Sequence, residues 1–228
     1  MLFENEIADR LAEVNHRIAS AAHRSSRRRD AVRLVLASKT QPPEALRAAY
    51  YAGARDFGEN YVQEAVEKHK ALAHLQDIRW HLIGHLQSNK ARVARSMFTM
   101  IHSLHSLRLA QALHRAGGEH RAHALIEVNL GGESSKQGIA PHDVARLIDE
   151  ARELVDFQGL MAIPPPGPTA EHSRHWFAHL RELRDRLAAH SGLKLHELSM
   201  GMTDDFEVAI EEGATIVRVG RAVFGERR

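Results

Sequence analysis

Apolar residues follow two different periods along this chain. In the first segment, residues 2–23, Ile7, Leu11, Val14 and Ile18 recur at spacings of three or four residues, with charged residues between them. This spacing is typical of an amphipathic helix that turns one apolar stripe towards a core. The segment therefore predicts a long N-terminal helix.

Eight short apolar runs come after this helix, most of them rich in branched residues. They cover residues 32–38, 55–58, 78–84, 100–104, 123–130, 157–163, 194–199 and 214–220. Runs of this length, bounded by polar and turn residues, predict buried strands.

Helical or turn sequence follows every predicted strand. It covers residues 42–53, 59–73, a short helix from about 88, 106–116, 141–155, 169–190, 204–213 and a last turn from 222. Strict alternation of strands and helices is typical of parallel β-α units. Eight units predict an α/β fold, a single (β/α)8 TIM barrel with an extra N-terminal helix; a doubly wound sheet is the alternative.

Composition sets limits on this fold rather than naming a function. Of the 228 residues, 43% are hydrophobic and 26% are charged, as in ordinary folded domains. We expect one domain over 1–228, with the N-terminal helix in 1–25 and the barrel in 32–228. Because the chain has no cysteine, disulfides, thiolate metal sites and cysteine nucleophiles are excluded.

Charge and hydropathy also limit location and partners. No apolar run reaches the roughly 18 residues that span a bilayer, and the acidic, mixed N-terminus is unlike a signal peptide. We therefore expect a cytoplasmic protein without a membrane partner. The formal net charge of +2 makes no electrostatic case for nucleic acid. A monomer is expected because no large apolar stripe stands out.

One lysine lies where the active site of a barrel would be. Active sites of such barrels lie at the carboxyl ends of the strands, and Lys39 follows the first strand. A partly desolvated amine there can form a Schiff base, although a lysine that reaches from a strand end to water is the simpler alternative. The other lysines lie on a polar helix, before a strand or in polar loops: Lys68, Lys70, Lys194, Lys90 and Lys136.

The loops after the last two strands predict an anion site. Ser199 offers a hydroxyl, and Gly201 and Gly220 permit close approach of the backbone to a ligand. A short helix starting at 220–224 would point free N–H groups at an anion, in the place where this fold commonly binds phosphate. Together with Lys39, these loops suggest a phosphorylated carbonyl compound.

Arg218 refines that ligand class. It lies two residues before Gly220, so both residues face the same side of the last strand. An arginine only donates hydrogen bonds and stays charged, so it would keep a facing pyridine nitrogen unprotonated. A salt bridge within the barrel or at its surface is the alternative.

Six stretches in chain order carry a family resemblance. They are LASKT (36–40), FGENYVQE (57–64), WHLIGHLQSNK (80–90), GLMAI (159–163), LSMGMTDDFEVAIEEG (198–213) and VRVGRAVFGER (217–227). On these stretches the chain resembles the pyridoxal phosphate homeostasis protein family, small relatives of the alanine racemase barrel. The resemblance implies a fold-type III barrel that binds pyridoxal 5′-phosphate (PLP) as an aldimine.

The resemblance also implies a role for each site residue. The aldimine lysine corresponds to Lys39, the arginine facing the pyridine nitrogen to Arg218, and a residue beside the cofactor to Asn60. The phosphate-binding positions correspond to Ser199, Gly201, Gly220 and Arg221. Arg221 is a departure, because a small hydroxyl residue is expected there; its N–H can still contact phosphate.

Three functions compete on these residues. The resemblance implies a protein that holds PLP and helps to regulate its supply, with PLP-dependent apo-enzymes as partners and no substantial turnover. The second is a PLP-dependent amino-acid racemase, which needs an additional proton-transfer group that racemases take from a separate β-domain. Because the predicted barrel takes up the whole chain, we expect no such domain. The third is a cofactor-free Schiff-base aldolase.

Two further clusters have simpler interpretations than a metal site or a catalytic pair. His172, His175 and His179 fall on one flank of a predicted helix, and we expect an exposed flank rather than a metal site. Asp204 and Asp205 precede a helix, where carboxylates meet free N–H groups, so we interpret them as capping residues.

Overall fold

The structure is a computed structural model that describes residues 2–133 and 137–226. Its eight strands are parallel and close into a barrel in chain order. They are β1 Arg33–Ala37, β2 Asp56–Glu59, β3 Arg79–Leu82, β4 Met100–Leu104, β5 Ala122–Glu127, β6 Val155–Met161, β7 Glu197–Ser199 and β8 Ile216–Val219. The prediction of a (β/α)8 barrel is confirmed, and the doubly wound alternative is wrong.

Helices surround the barrel. They are α1 Leu2–Arg24, α2 Pro43–Tyr51, α3 Val62–Ala71, α4 Ala91–Met97, α5 Leu107–Arg115, α6 Val144–Ala151, α7 Arg174–Ser191, α8 Phe206–Glu211 and α9 Arg221–Phe224. The extra helix α1 packs on α2, α8 and α9, so its apolar stripe covers the side where β8 meets β1. None of the described helices is long and apolar enough to cross a membrane.

Most element boundaries differ by one or more residues from the sequence-based prediction, and two of the differences have a clear structural reason. The helix predicted over 59–73 begins at Val62, because Glu59 still belongs to β2 and pairs in register with Leu82. The helix predicted from 169 begins at Arg174 after a short 3₁₀ turn over Ala170–Ser173. The first difference matters for the site, since it places Glu59 on the sheet.

Strand alternation separates the inside of the barrel from the layer between sheet and helices. Five buried apolar residues, one from each of five strands, form a small cluster: Val35, Met100, Leu125, Met161 and Ile216. The large apolar core, including Leu36 and Phe57, lies on the outer side of the sheet under the helices. Buried polar residues complete the inside and lead up to the mouth: His81, His102, Ser199 and Arg218.

Candidate functional site

A small cavity at the carboxyl ends of the strands brings most of the predicted site residues together. Its volume is about 180 Å³, and it is lined by five of the seven: Lys39, Asn60, Arg218, Gly220 and Arg221. Ser199 and Gly201 lie outside this lining.

A larger cavity of about 570 Å³ lies beside it and shares Asn60, Ile83 and Ile163 with it. Small-molecule sites commonly occupy about 300–1,000 Å³, so a ligand held by the small cavity would extend along this shared wall.

Lys39 is half-buried in a tight turn directly after β1. The N–H of Gln41 donates to the carbonyl oxygen of Ser38 over 3.0 Å and closes the turn around Lys39. Thr40 has φ 65°, a left-handed conformation that is rare for a β-branched residue. Since strand residues alternate and Val35 lies inside the barrel, Ala37 and Lys39 face the mouth.

A buried ionic group lies behind this turn, on the outer side of the sheet; we call Ser38, Glu59, Glu64 and Lys68 the Lys68 cluster. The ammonium of Lys68 donates to Glu59 Oε1 over 2.8 Å, to Glu64 Oε1 over 2.6 Å and to the carbonyl oxygen of Ser38 over 2.7 Å. The hydroxyl of Ser38 donates to Glu59 Oε1 over 2.7 Å. Burial raises the pKa of Glu59, while the bonds from Lys68 and Ser38 oppose that rise.

Arg218 enters the mouth from β8 and is almost fully buried. Its guanidinium donates to the Ser199 hydroxyl over 2.7 Å and to the carbonyl oxygen of Ala162 over 3.1 Å. Burial lowers the pKa of Arg218 to about 10, although the carboxylates of Glu127 and Asp205 favour its charge. Arg218 is therefore charged at neutral pH.

A chain of hydrogen bonds runs from Ser199 through the inside of the barrel; we call Ser199, His102, His81 and Asp56 the histidine relay. Ser199 Oγ lies 2.9 Å from His102 Nδ1, and His102 Nε2 lies 3.0 Å from His81 Nδ1. His81 Nε2 lies 2.9 Å from Asp56 Oδ1, and Asp56 also accepts two bonds from Arg79.

The two ends of the histidine relay determine the direction of its bonds. Because Arg218 only donates to Ser199, the Ser199 hydroxyl proton has His102 Nδ1 as its acceptor. Burial, His81 and Arg218 hold the pKa of His102 well below its ordinary value, so the ring is neutral and accepts this bond. His102 then donates to His81, which donates to Asp56.

This geometry changes the role predicted for Ser199. Its hydroxyl is occupied by Arg218 and His102 and is fully buried below the mouth. The single O–H of this hydroxyl is directed at His102 here, so the predicted bond from it to a phosphate stays a prediction. In this arrangement Ser199 accepts from the guanidinium of Arg218 and helps to hold it in place.

The two predicted glycines allow close packing around the mouth. Gly201 has φ 90°, and a Cβ there would lie 2.6 Å from the Cβ of Ala209. A Cβ at Gly220 would lie 2.8 Å from the carbonyl oxygen of Ala37, so a side chain at 220 would push the end of β8 away from β1. Both glycines therefore shape the mouth, and Gly220 also lines the cavity.

Arg221 and the two aspartates meet at the rim of the small cavity. The Arg221 guanidinium donates to Asp204, and both residues line the cavity and are largely exposed. Asp205 stands at the start of α8, but its carboxylate accepts from the N–H of Met202 over 2.8 Å rather than from the helix. The capping interpretation is therefore wrong for Asp205, because its carboxylate binds an N–H of the loop before the helix and none in the first turn of α8.

The larger cavity contains titratable groups that the sequence analysis did not single out. Glu127 is 8% exposed, and its Oε2 has no hydrogen-bond partner among the described residues. Burial raises the pKa of Glu127, against the influence of His105 and Arg218. The rings of His85 and His105 stack with their centroids 5.0 Å apart, and burial lowers the pKa of His85.

Two of the earlier expectations concern residues away from the mouth. In the described ranges, no three histidine, aspartate or glutamate side chains are grouped as metal ligands would be; His172 and His175 only meet edge to face. Lys136, one of the alternative lysines, lies outside the described residues.

Known proteins resemble this chain in sequence and in fold over almost its whole length. The profile of the family described as "Alanine racemase, N-terminal domain" matches residues 10–228. The "Pyridoxal phosphate homeostasis protein" of Aquifex aeolicus is 45% identical over 224 residues, which is 96% of this chain and 98% of that protein. The protein of the same name from Pseudomonas aeruginosa is 45% identical over 225 residues, covering 97% of this chain and 96% of that protein.

A solved structure agrees with these relatives. PipY of Synechococcus elongatus, described as having PLP bound, is 40% identical, with a TM-score of 0.85 over 96% of this chain and 100% of that chain. The closed barrel and the family match over residues 10–228 together define a barrel of the alanine racemase class. Within that class, the chain belongs to the family of pyridoxal phosphate homeostasis proteins.

Proposed function

We propose that this protein binds PLP and takes part in keeping its supply in balance, as a carrier without substantial turnover of amino acids. One observation carries the proposal: Lys39, Arg218 and Gly220 line the same small cavity. The names of the relatives and the PLP-bound PipY structure support the choice of ligand.

The residues present fit PLP in type and place. When bound, the cofactor supplies an aldehyde that condenses with a primary amine and a pyridine ring that withdraws electrons. We propose that Lys39 forms this Schiff base and that Arg218, a donor only, faces the pyridine nitrogen. Asn60 lies on the wall between the two cavities, where it would contact the ring.

The phosphate would lie at the start of α9. Val223 and Phe224 donate to the carbonyl oxygen of Gly220, so the N–H groups of Arg221 and Ala222 precede the first bonds within the helix. The Arg221 guanidinium, which binds Asp204 on the lining of the same cavity, would bind the dianion in place of Asp204. Gly201 would support this loop by its packing, and Ser199 would act through Arg218.

A titration of the apoprotein tests the phosphate site. We expect pyridoxal, which lacks the phosphate, to bind at least about tenfold more weakly than PLP, because charge-assisted bonds to the dianion are lost. Equal affinities for the two compounds would contradict the proposed site.

A racemase is the second candidate, and one observation favours it. Glu127, in the neighbouring cavity, is a buried carboxyl with a raised pKa, the type of group that exchanges a proton with a substrate. Incubation of the loaded protein with L-alanine and L-serine, followed by chiral analysis, separates the two functions. The carrier predicts no sustained loss of chirality, whereas many turnovers that disappear in Lys39→Ala and Glu127→Gln would establish the racemase.

Carriage implies that the cofactor leaves the protein for others. We propose PLP-dependent apo-enzymes as recipients; mixing the loaded protein with an apo-transaminase should restore transaminase activity faster than free release alone. We further propose that the chain works as a single-domain monomer, and light scattering checks its mass. A cytoplasmic location stays a prediction from the sequence.

A further inference from the structure

Lys68 is a buried cation that the cavity residues do not explain. It lies on α3 with 4% of its surface exposed, and it does not line either of the two cavities described above. Burying an ammonium is costly unless it is paired, and Lys68 is paired with two carboxylates. The partners of Lys68 indicate which part of the chain this buried charge holds in place.

The charged residues of the Lys68 cluster all form hydrogen bonds with Ser38 or Thr40, the two neighbours of Lys39 in the chain. Lys68 binds the carbonyl oxygen of Ser38 directly, and Glu59 accepts from the Ser38 hydroxyl. Glu64 accepts from the backbone N–H of Thr40 over 2.6 Å, with the same oxygen that receives Lys68. The cluster therefore holds the chain on both sides of Lys39 from the outer face of the sheet, while the Lys39 side chain faces the mouth.

The backbone that is held in this way is strained. Thr40 has φ 65°, a conformation that costs about 1–3 kcal/mol for a residue other than glycine. Such a conformation persists only where its surroundings hold it, and here Glu64 binds the N–H of Thr40 itself. Without the cluster, we expect the turn to relax and the side chain of Lys39 to lose its fixed direction.

We propose that Lys68 is a positioning residue for Lys39, which sets the backbone turn that aims the Lys39 amine at an aldehyde in the small cavity. The inference rests on the proposed Schiff base and deepens it by naming what makes the amine competent. In that step the Lys39 nitrogen forms the bond to the aldehyde carbon. The aldehyde oxygen leaves as water with two protons from the amine.

Misplacing one reacting atom by about 1 Å can slow a reaction by about a hundredfold. The contacts that hold the phosphate and the ring would not be affected by such a shift. The test therefore separates covalent capture from non-covalent binding. Covalent capture is measured as the fraction of protein labelled by borohydride across a PLP titration. Non-covalent binding is measured with 4′-deoxypyridoxine 5′-phosphate, which carries a methyl group in place of the aldehyde.

The decisive variant is Lys68→Met, with Lys70→Met as the matched control because Lys70 lies on the same helix and is exposed. We expect Lys68→Met to need at least about tenfold more PLP for half-labelling, with affinity for the analogue within about twofold of wild type. Lys70→Met should match the wild type in both measurements. Unchanged labelling, or equal losses of labelling and analogue affinity, would overturn the positioning role.

Two more variants test the positioning role if Lys68→Met does not fold, and separate it from the proposed Schiff base. If Lys68→Met does not fold, Glu64→Ala removes the oxygen shared by the Thr40 N–H and Lys68 but leaves Lys68 paired with Glu59. It should still weaken labelling by about threefold, with normal analogue binding; no change would refute the proposal. Lys39→Ala tests the function on which it rests. Labelling at the cavity that persists in Lys39→Ala would refute both, whereas its loss alongside unaffected Lys68→Met would refute only the positioning role.

Discussion

The Lys68 cluster and the histidine relay support the same mouth from opposite faces of the sheet, in different ways. The cluster lies outside the barrel and binds the turn of Lys39 through full charges, while the relay lies inside and binds Arg218 through a serine and a neutral imidazole. Within the described residues, Arg218 forms no ion pair. Because no carboxylate neutralises it directly, its charge stays available for a ligand acceptor in the cavity.

The largest effect on stability is expected from the Lys68 cluster. Lys68→Met leaves the buried carboxylate of Glu59 and the partly exposed carboxylate of Glu64 without their cation, so unfolding free energy should fall by about 3–5 kcal/mol. Lys68→Met combined with Glu59→Gln should recover part of that loss, since one carboxylate is removed. Urea unfolding at pH 7.5 measures both. A loss below about 1 kcal/mol in the single variant would show that the cluster contributes little to stability.

The second prediction concerns the histidine relay and the change in stability as pH falls. His102 has a folded pKa well below its unfolded value of 6.5, so its contribution to stability is present above pH 6.5 and is lost as pH falls below it. The loss should approach about 1.4 kcal/mol per pH unit, because only the unfolded state takes up the proton.

The control for this slope is His102→Gln, whose amide can accept from Ser199 and donate to His81 but does not titrate. Unfolding free energies at pH 7.5, 6.5 and 5.5 should fall less steeply in this variant. Asp56 does not contribute in that window. The bonds from Arg79 and His81 outweigh burial and lower its pKa to about 2, so its contribution is present above about pH 4 and lost only as pH falls through about 2. Equal slopes in the two proteins would show that folding does not lower the pKa of His102.

The third prediction uses the exposed pair at the rim as a contrast with both buried networks. Exposed ion pairs contribute about 0–1 kcal/mol, so Asp204→Asn should leave stability nearly unchanged. Freed from Asp204, Arg221 should bind phosphate slightly better and improve PLP affinity by up to about threefold. Arg221→Ala should weaken affinity. Fluorescence titration measures both, and weaker binding in Asp204→Asn would assign Asp204 itself to the ligand.

Local sequence patterns predicted the part of this site that depends on single strands. Eight apolar runs located the strands, and alternation along β8 placed Arg218 and Gly220 on one face. Lys39 could be found because it follows a strand of a barrel. These inferences need only the period of a strand and the position of its carboxyl end.

The two supporting networks are not among the sequence-based predictions, for two different reasons. The prediction of a polar helix around Lys68 overlooks a local pattern: Glu64, four residues before Lys68, is placed to pair with it, and the buried Ala65 lies three residues before it. The sequence alone contains this pattern. The histidine relay was not readable, because Ser199 and His102 are 97 residues apart and meet only across the closed barrel.

Peptide mass mapping gives the sharpest test of whether Lys39 is the residue that holds the cofactor. The protein is loaded with PLP, reduced with borohydride and digested, and the pyridoxyl group is located on the peptides. We expect the adduct on Lys39 and its loss in Lys39→Ala. An adduct found mainly on Lys90 or Lys136 in the wild-type protein would contradict it.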